Sequence, residues 1–255
     1  MKNSEIRAEA RNLLYDNWGK YIGLNFLYFL VIFGVTFVLT LIPIIGPILS
    51  FVFSLVCTVP LAYGYAMNFV KIRKDPSASC IDFLELGFSN FGKAWALAGW
   101  SIVKLLVPTL LVFGSAIIAA VYMGTIVADG DIPTLGNIML VYLILLPSYI
   151  FLYARTLLYA FAQYAAIYNP NIRARDCYTY SAKLMKGKRW KYIGLSLSFF
   201  GWMLTGLITC GVSYIFLMPY ISLASLCFYE SLAGENNDSP NVMDWDSVNA
   251  VMENK

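Results

Sequence analysis

The chain has 255 residues, of which 59% are hydrophobic and 13% are charged, against about 45–50% and about 25% in ordinary soluble domains. Lysine and arginine total 18 and acidic residues 15, which gives a formal net charge of +3, and histidine is absent. This composition argues against a soluble domain and gives no indication of nucleic-acid binding. We therefore expect an integral membrane protein.

The first twenty residues predict a cytoplasmic amphipathic helix. Asn3 or Ser4 is the expected N-terminal cap, and the apolar face that follows consists of Ile6, Ala10, Leu13 and Leu14. Such a helix is expected to lie on the lipid headgroups or to pack against the cytoplasmic ends of the membrane spans.

Residues 21–232 predict a membrane domain. Residues 21–70 and 192–229 contain no Asp, Glu, Lys or Arg, and about 20 apolar residues suffice to cross the roughly 30 Å hydrocarbon layer. Each stretch is therefore long enough for two spans. Divided at turn residues, the sequence predicts an all-α, polytopic membrane protein with six transmembrane helices arranged as three hairpins, at residues 21–42, 48–70, 96–127, 138–166, 192–209 and 212–230.

Basic residues are confined to one set of connections between the predicted spans. The opposite loops carry no Lys or Arg and contain only the acids Asp129 and Asp131. Because basic residues near span ends stay in the cytoplasm, both termini are predicted to be cytoplasmic and the protein to reside in the cell membrane. The basic face either serves topology alone or also attracts anionic lipid.

A similar short sequence motif precedes the first, second and third predicted hairpins. Residues 17–24 read NWGKYIGL, residues 90–95 read NFGKAW, and residues 188–195 read KRWKYIGL. This motif indicates three repeated units, each consisting of an interfacial helix and a hairpin. The alternative is that the three stretches arose independently, because Trp and Lys are favoured at any membrane boundary. In the third unit, Asn169 to Asn171 begin a helix, Gly187 ends it, and its apolar face consists of Cys177, Tyr180, Ser181 and Leu184.

Three ionisable residues fall within the predicted spans: Lys104, Arg155 and Glu230. Charge at membrane depth is costly, so each of these residues is a functional candidate. Glu230, however, lies at a span end and is expected to be solvated. Lys104 can extend its side chain towards the membrane interface. Arg155 lies about 21 Å from the cytoplasmic end of a straight fourth span. Tyr159 and Gln163 follow at helical spacing, so a polar stripe is predicted.

Two interpretations of Arg155 remain open. It can satisfy backbone carbonyls freed by a proline kink, or it can bind an anionic group such as a lipid phosphate or a small solute. The candidate ligand-binding residues are therefore Arg155, Tyr159, Gln163 and Lys104. The predicted helix kinks are Pro60, Pro147 and Pro219, with Pro108 as a further proline within a span, and they indicate either ordinary packing or a transport path.

Catalytic chemistry is not expected. There is no histidine, no metal-binding motif, no carboxylate pair beside a span and no phosphate-binding loop. We predict no enzyme activity, no metal and no cofactor. The five cysteines are not spaced to form an evident disulfide. Residues 233–255 form an acidic cytoplasmic tail that is expected to be disordered or to bind the basic face or a protein partner.

The sequence resembles a bacterial, mostly Firmicute, family of integral membrane proteins known as domain of unknown function 975. The resemblance lies in the opening residues 6–20, in IPIIG at 42–46, and above all in the final third, with YNPNI at 168–172, LMKG at 184–187, and FYESL at 228–232. Arg155 falls where members of that family tend to carry a basic residue. More distantly, the sequence is similar to the membrane domain of some glycerophosphodiester phosphodiesterases. The resemblance implies six spans and no known reaction.

The expected function is that of a non-catalytic membrane module that binds lipid, anionic lipid included, or a protein partner. The alternative is a transporter or channel-like protein for a small anionic or lipidic solute, with Arg155 and the kink prolines along its path. A water-accessible cavity that reaches Arg155 would favour transport.

Overall fold

The computed structural model describes residues 2–209 and 211–235, and every regular element in those ranges is an α-helix. This confirms the all-α prediction. Cys210 and most of the predicted acidic tail lie outside the described residues. The helices are α1 Asn3–Thr40, α2 Gly46–Val56, α3 Thr58–Lys74, α4 Asp82–Ser89, α5 Phe91–Ala128, α6 Leu135–Tyr159, α7 Ala162–Tyr168, α8 Ala174–Leu184, α9 Arg189–Ile208 and α10 Ser213–Glu235.

Four stretches are long and apolar enough to cross a membrane: Asn17–Thr40, Phe91–Ala128, Leu135–Tyr168 and Ser213–Gly234. A fifth results if α2 and α3, which meet at a bend of 44°, form one span. These helices indicate a membrane protein. Helix α9 is not among them, and its first turn consists of Arg189, Trp190 and Lys191. The six-span arrangement in three hairpins therefore stays a prediction.

The described chain divides into two compact units. One, here called the aromatic unit, combines the residues up to Ala98 with those from Phe161 onward. The other, the hairpin unit, comprises residues 99–160.

The first half of α1 packs against protein within the aromatic unit. Ile6, Ala10 and Leu14 are fully buried, as the periodicity predicts for one apolar face, and Leu13 is half-buried. The Asn3 amide donates a hydrogen bond to the carbonyl of Lys191 on α9, at 3.0 Å. The predicted cap was wrong, because α1 already begins after Lys2, whose backbone amide donates to the Glu5 carboxylate at 2.8 Å.

Helices α3 and α4 approach each other through glycine. A Cβ atom placed on Gly64 would lie 2.1 Å from the carbonyl oxygen of Phe83 and 2.6 Å from the amide nitrogen of Gly87. No side chain fits between backbones that close, so both positions require glycine. The short connection to α4 is tied to α3 by the Asn68 amide, which donates to the carbonyls of Ser79 and Cys80 at 3.0 and 3.2 Å.

Aromatic side chains form the centre of the aromatic unit. Phe161 is fully buried, and its ring lies between 5.1 and 6.3 Å, centroid to centroid, from those of Tyr164, Tyr192, Phe228 and Tyr229. Offset and tilted ring pairs at such distances add to the stabilisation that burial itself provides. The predicted third interfacial helix is α8, in which Cys177, Ser181 and Leu184 are buried; Gly187 follows it with a φ of +79°.

Two polar contacts join the two long apolar helices of the hairpin unit. The Ser115 and Ser148 hydroxyls are 2.8 Å apart, and the Tyr122 hydroxyl donates to the Asn137 side-chain oxygen at 3.1 Å. Most large apolar side chains of this unit are exposed, Phe113, Ile117 and Leu143 among them. Exposure of this kind suits a hairpin that is surrounded by lipid rather than by water.

Candidate functional site

An apolar groove of about 730 Å³ lies in the aromatic unit. It lies between α1 and α10, with Tyr65 of α3 at its base. Its lining consists of Asn25, Phe26, Tyr28, Phe29, Tyr65, Gly211, Val212, Tyr214, Ile215, Met218 and Ser222. Phe26, Phe29, Val212 and Met218 are each more than 40% exposed. Because these exposed residues are apolar, the groove opens towards the surroundings of the spans through a hydrophobic rim.

Pro219 leaves a backbone carbonyl beside the groove without its helical hydrogen bond. Pro219 has no amide hydrogen, so the carbonyl of Ile215, one turn earlier in α10, loses its usual helical partner. The Asn25 side-chain amide of α1 donates to that carbonyl at 3.4 Å. This long bond joins α1 to α10 at the groove and satisfies an acceptor that would otherwise be costly at membrane depth.

Tyrosines form the base of the groove. The rings of Tyr28 and Tyr65 are 4.8 Å apart, and Tyr65 also packs against the buried Phe69 at 5.9 Å. Ser222 of α10 lines the same region. The groove therefore has an apolar mouth and a base that carries several hydroxyl groups, an arrangement that suits an amphiphile better than a hydrated ion.

A charged cluster ties together the ends of four helices in the aromatic unit. The Glu230 carboxylate of α10 accepts hydrogen bonds from the Arg73 guanidinium of α3 and from the Tyr168 hydroxyl of α7. Arg73 also lies 3.7 Å from the Glu9 carboxylate of α1. The side chain of Arg73 is 17% exposed and that of Glu230 30%. Glu230 thus keeps partial contact with solvent, as expected for a residue at a span end, and its carboxylate is also engaged by two partners.

Lys93, one of the basic residues assigned to the cytoplasmic face, has a structural role. Its ammonium group donates to the carbonyls of Ala166, Asn169 and Pro170 at 2.9, 3.2 and 2.7 Å. It thereby satisfies carbonyls at and beyond the end of α7 and complements the negative end of that helix.

The predicted polar stripe does not continue along one helix. Arg155 and Tyr159 lie on α6 in the hairpin unit, whereas Gln163 lies on α7 in the aromatic unit. Helix α6 ends at Tyr159, and the Phe161 amide donates to the Ser181 hydroxyl at 3.2 Å. The amide of Gln163 donates to the carbonyl of Ala62 at 3.3 Å.

Arg155 itself is exposed. Its guanidinium carbon lies 5.3 Å from the centre of the Phe151 ring, and among the described residues it makes no hydrogen bond. The proposed contact with a carbonyl freed by Pro147 is thus not observed, and the anion-binding interpretation stays a prediction. Lys104 is half-buried on α5.

The kink prolines occupy different settings. The 44° bend between α2 and α3 lies at Cys57, three residues before Pro60, which has no amide hydrogen for the carbonyl of Val56. Pro147 lies inside α6 and Pro219 inside α10. Pro219 is the one with a direct connection to the groove, through Asn25.

The cysteines agree with the absence of an evident pairing in the sequence. The four that are described, Cys57, Cys80, Cys177 and Cys227, are free thiols, and Cys177 and Cys227 are buried. Burial raises the pKa of the Cys177 thiol, which lowers its reactivity while the protein is folded.

A sequence model of the family described as "Protein of unknown function (DUF975)" matches residues 1–236. The chain belongs to this family. No curated protein and no solved structure matches it. The family membership expected from the sequence is confirmed; the bacterial origin and the more distant likeness to glycerophosphodiester phosphodiesterases stay predictions.

Proposed function

We propose that this DUF975 protein is a non-catalytic membrane module that holds a lipid acyl chain in the groove between α1 and α10. The observation that carries the proposal is the groove's rim. Its exposed residues are apolar and belong to, or directly adjoin, two stretches that can span a membrane. In a bilayer, hydrocarbon is the medium beside such a rim, and a chain can enter sideways.

The size and lining of the groove support the same proposal. A volume of about 730 Å³ is within the range of pockets that bind small molecules, about 300–1,000 Å³. Its aromatic and aliphatic walls offer close van der Waals contacts to an acyl chain, and such packing contacts favour association in a medium where no water is displaced. The hydroxyl groups at its base, from Tyr28, Tyr65 and Ser222, can interact with an ester or glycerol group.

A photoactivatable phosphatidylcholine, with the reactive group on its acyl chain, tests the proposal. The purified protein in nanodiscs is irradiated and the labelled peptides are mapped. We expect labels to concentrate on residues 25–29 and 212–218. Labels spread evenly over all exposed apolar surfaces, those of α5 and α6 included, would overturn the proposal.

A matched pair of variants sharpens this test. Met218→Trp places a large side chain at the rim of the groove, and Leu197→Trp places the same side chain on α9, where residue 197 is 63% exposed and is not among the groove's lining residues. We expect Met218→Trp to reduce labelling of the groove several-fold and Leu197→Trp to leave it unchanged. Equal labelling of the two variants would contradict the proposal.

The orientation proposed for the protein has its own test. With six spans and the basic connections inside, a reporter fused after Lys255 is expected in the cytoplasm. A periplasmic or extracellular reporter would contradict that orientation without affecting the groove.

A further inference from the structure

A second cavity in the aromatic unit carries positive charge. It has a volume of about 260 Å³ and is lined by Ser4, Arg7, Arg11, Trp202 and Tyr220. Ser4, Arg7 and Arg11 are spaced by three and four residues on α1, so they share one face of the helix. The Tyr220 hydroxyl of α10 donates to the carbonyl of Arg7 at 3.4 Å, which attaches this face of α1 to α10.

The two arginines have no acidic partner within the part of the chain that the structure describes. The Nε atom of Arg7 is buried and makes no hydrogen bond there. The neighbouring acids on α1 have other contacts: the Glu5 carboxylate accepts from the Lys2 amide, and the Glu9 carboxylate lies 3.7 Å from Arg73. Two guanidinium groups one turn apart thus face a cavity in which none of the described acids supplies a compensating charge.

An apolar extension continues from the charged cavity. A further cavity of about 320 Å³ shares Arg11, Trp202 and Tyr220 with it, so the two adjoin. The extension runs along Trp18, Phe216 and Leu217, and Thr205 and Ser213 complete its lining. The combined site has cationic groups at one end and an apolar channel at the other.

We propose that this combined site, here called the arginine site, binds an anionic lipid. The guanidinium groups of Arg7 and Arg11 would hold the phosphate, since arginine donates paired hydrogen bonds to phosphate oxygens. One acyl chain would lie along Trp202, Phe216 and Leu217. The apolar extension is what distinguishes a lipid phosphate from free phosphate, which would use the arginine end alone.

The arginine site is separate from the groove. Ile215, Met218 and Ser222 line the groove, whereas Phe216, Leu217 and Tyr220 line the apolar extension or the charged cavity. At 3.6 residues per turn these two sets lie on opposite faces of α10. The arginine site therefore does not depend on the groove, and either site can fail while the other binds.

Native mass spectrometry of the purified protein tests the arginine site. Phosphatidylglycerol and phosphatidylcholine with identical acyl chains are titrated separately, and inorganic phosphate is titrated alone and as a competitor. We expect the wild-type protein to bind phosphatidylglycerol more tightly. Removal of each arginine should reduce the ratio of the two affinities roughly fivefold, because one basic side chain near anionic lipid contributes about 1 kcal/mol.

Arg11→Gln is the principal variant, because Arg11 is exposed and its replacement leaves the packing of α1 in place. Arg7→Gln combined with Arg11→Gln should abolish most of the preference. Arg173→Gln, which removes an exposed arginine from the residue before α8, is the matched control and should keep it. If the double variant fails to fold, the comparison of Arg11→Gln with Arg11→Lys tests the site instead. Because lysine retains the positive charge, Arg11→Lys should keep part of the phosphatidylglycerol preference that Arg11→Gln loses.

Three outcomes would overturn the proposal. One is equal binding of the two lipids by the wild-type protein. Another is an equal loss of preference in Arg11→Gln and Arg173→Gln, which would indicate a general attraction to the basic face. The third is binding of inorganic phosphate that fully displaces the lipid, which would assign the site to a free anion. Loss of acyl-chain labelling in Met218→Trp with an unchanged phosphatidylglycerol preference would support two independent sites.

Discussion

Helix α10 of the aromatic unit and helix α6 of the hairpin unit differ in how far protein buries their apolar side chains. Protein buries half of the residues in the most apolar stretch of Ser213–Gly234, which belongs to α10. It buries none in the most apolar stretch of Leu135–Tyr168, most of which is α6. Aromatic packing and the Glu230 cluster join the helices of the aromatic unit, whereas α5 and α6 of the hairpin unit share isolated hydroxyl contacts such as that of Ser115 with Ser148. Lipid can therefore serve as the solvent of the hairpin unit, while the aromatic unit has a protein-like core in which binding sites can form.

The largest effect is expected from the Glu230 cluster. Glu230→Ala leaves Arg73 and the Tyr168 hydroxyl without their shared acceptor, and leaving a part-buried charged donor without its partner costs about 3 kcal/mol. The aromatic unit should open more often. A suitable measurement is the rate at which maleimide labels Cys177 and Cys227, which are buried there, after Cys57, Cys80 and Cys210 are replaced by Ser.

The hairpin unit contains no cysteine, so this measurement reports on the aromatic unit alone. Asp131→Ala, in the loop after α5, is the control and should leave the labelling rate unchanged. A rate in Glu230→Ala equal to that of the parent protein would show that the cluster does not support the aromatic unit.

The glycine contact between α3 and α4 should give the next largest effect. Gly64→Ala forces the helices apart, because the added Cβ would lie 2.1 Å from the Phe83 carbonyl oxygen, and overpacking of this kind costs about 1–3 kcal/mol. Gly34→Ala in α1 meets nothing within 4 Å and is the control. Thermal unfolding in detergent should show a lower melting temperature for Gly64→Ala only; equal melting temperatures would rule out the close contact.

Arg155 tests whether the hairpin unit also contacts charged lipid. Arg155→Ala should lower the binding of anionic lipid about fivefold without unfolding the protein, because one basic group near anionic lipid contributes about 1 kcal/mol. Native mass spectrometry gives the binding, and the melting temperature confirms folding. Binding that equals that of the wild-type protein would leave Arg155 with no role beyond its contact with Phe151.

The smallest effect is expected from the hydroxyl contact in the hairpin unit. Ser148→Ala removes the partner of Ser115, and such contacts between membrane helices are worth about 0.6 kcal/mol on average. A double-mutant cycle with Ser115→Ala isolates this contribution. A coupling energy of several kcal/mol would mean that the hairpin depends on polar contacts as strongly as the aromatic unit depends on its cluster.

Local periodicity predicted the features that depend on neighbours in sequence. The buried face of Ile6, Ala10 and Leu14 follows from helical spacing alone. The bend before Pro60 follows from the missing amide of proline.

Features that join distant parts of the chain were not predictable in the same way. The pairing of Glu230 with Arg73 spans 157 positions, and no pattern in the sequence assigns one to the other. Helix α6 ends just before Phe161, which lies in the buried aromatic cluster. The sequence signals that cluster only by its density of Phe and Tyr. The arginine site exists only because α1 and α9 lie side by side in the fold, which the sequence did not indicate. The sequence shows only that Arg7 and Arg11 are an i, i+4 pair on one helix face.

An experimental structure of the protein in lipid nanodiscs tests the central claim most directly. We expect elongated density in the groove between α1 and α10, passing between Phe29 and Met218, and we expect its loss in Met218→Trp. A groove closed by direct contact of Phe29 with Met218, or one filled by ordered water, would contradict the assignment of this protein as a module that holds a lipid chain.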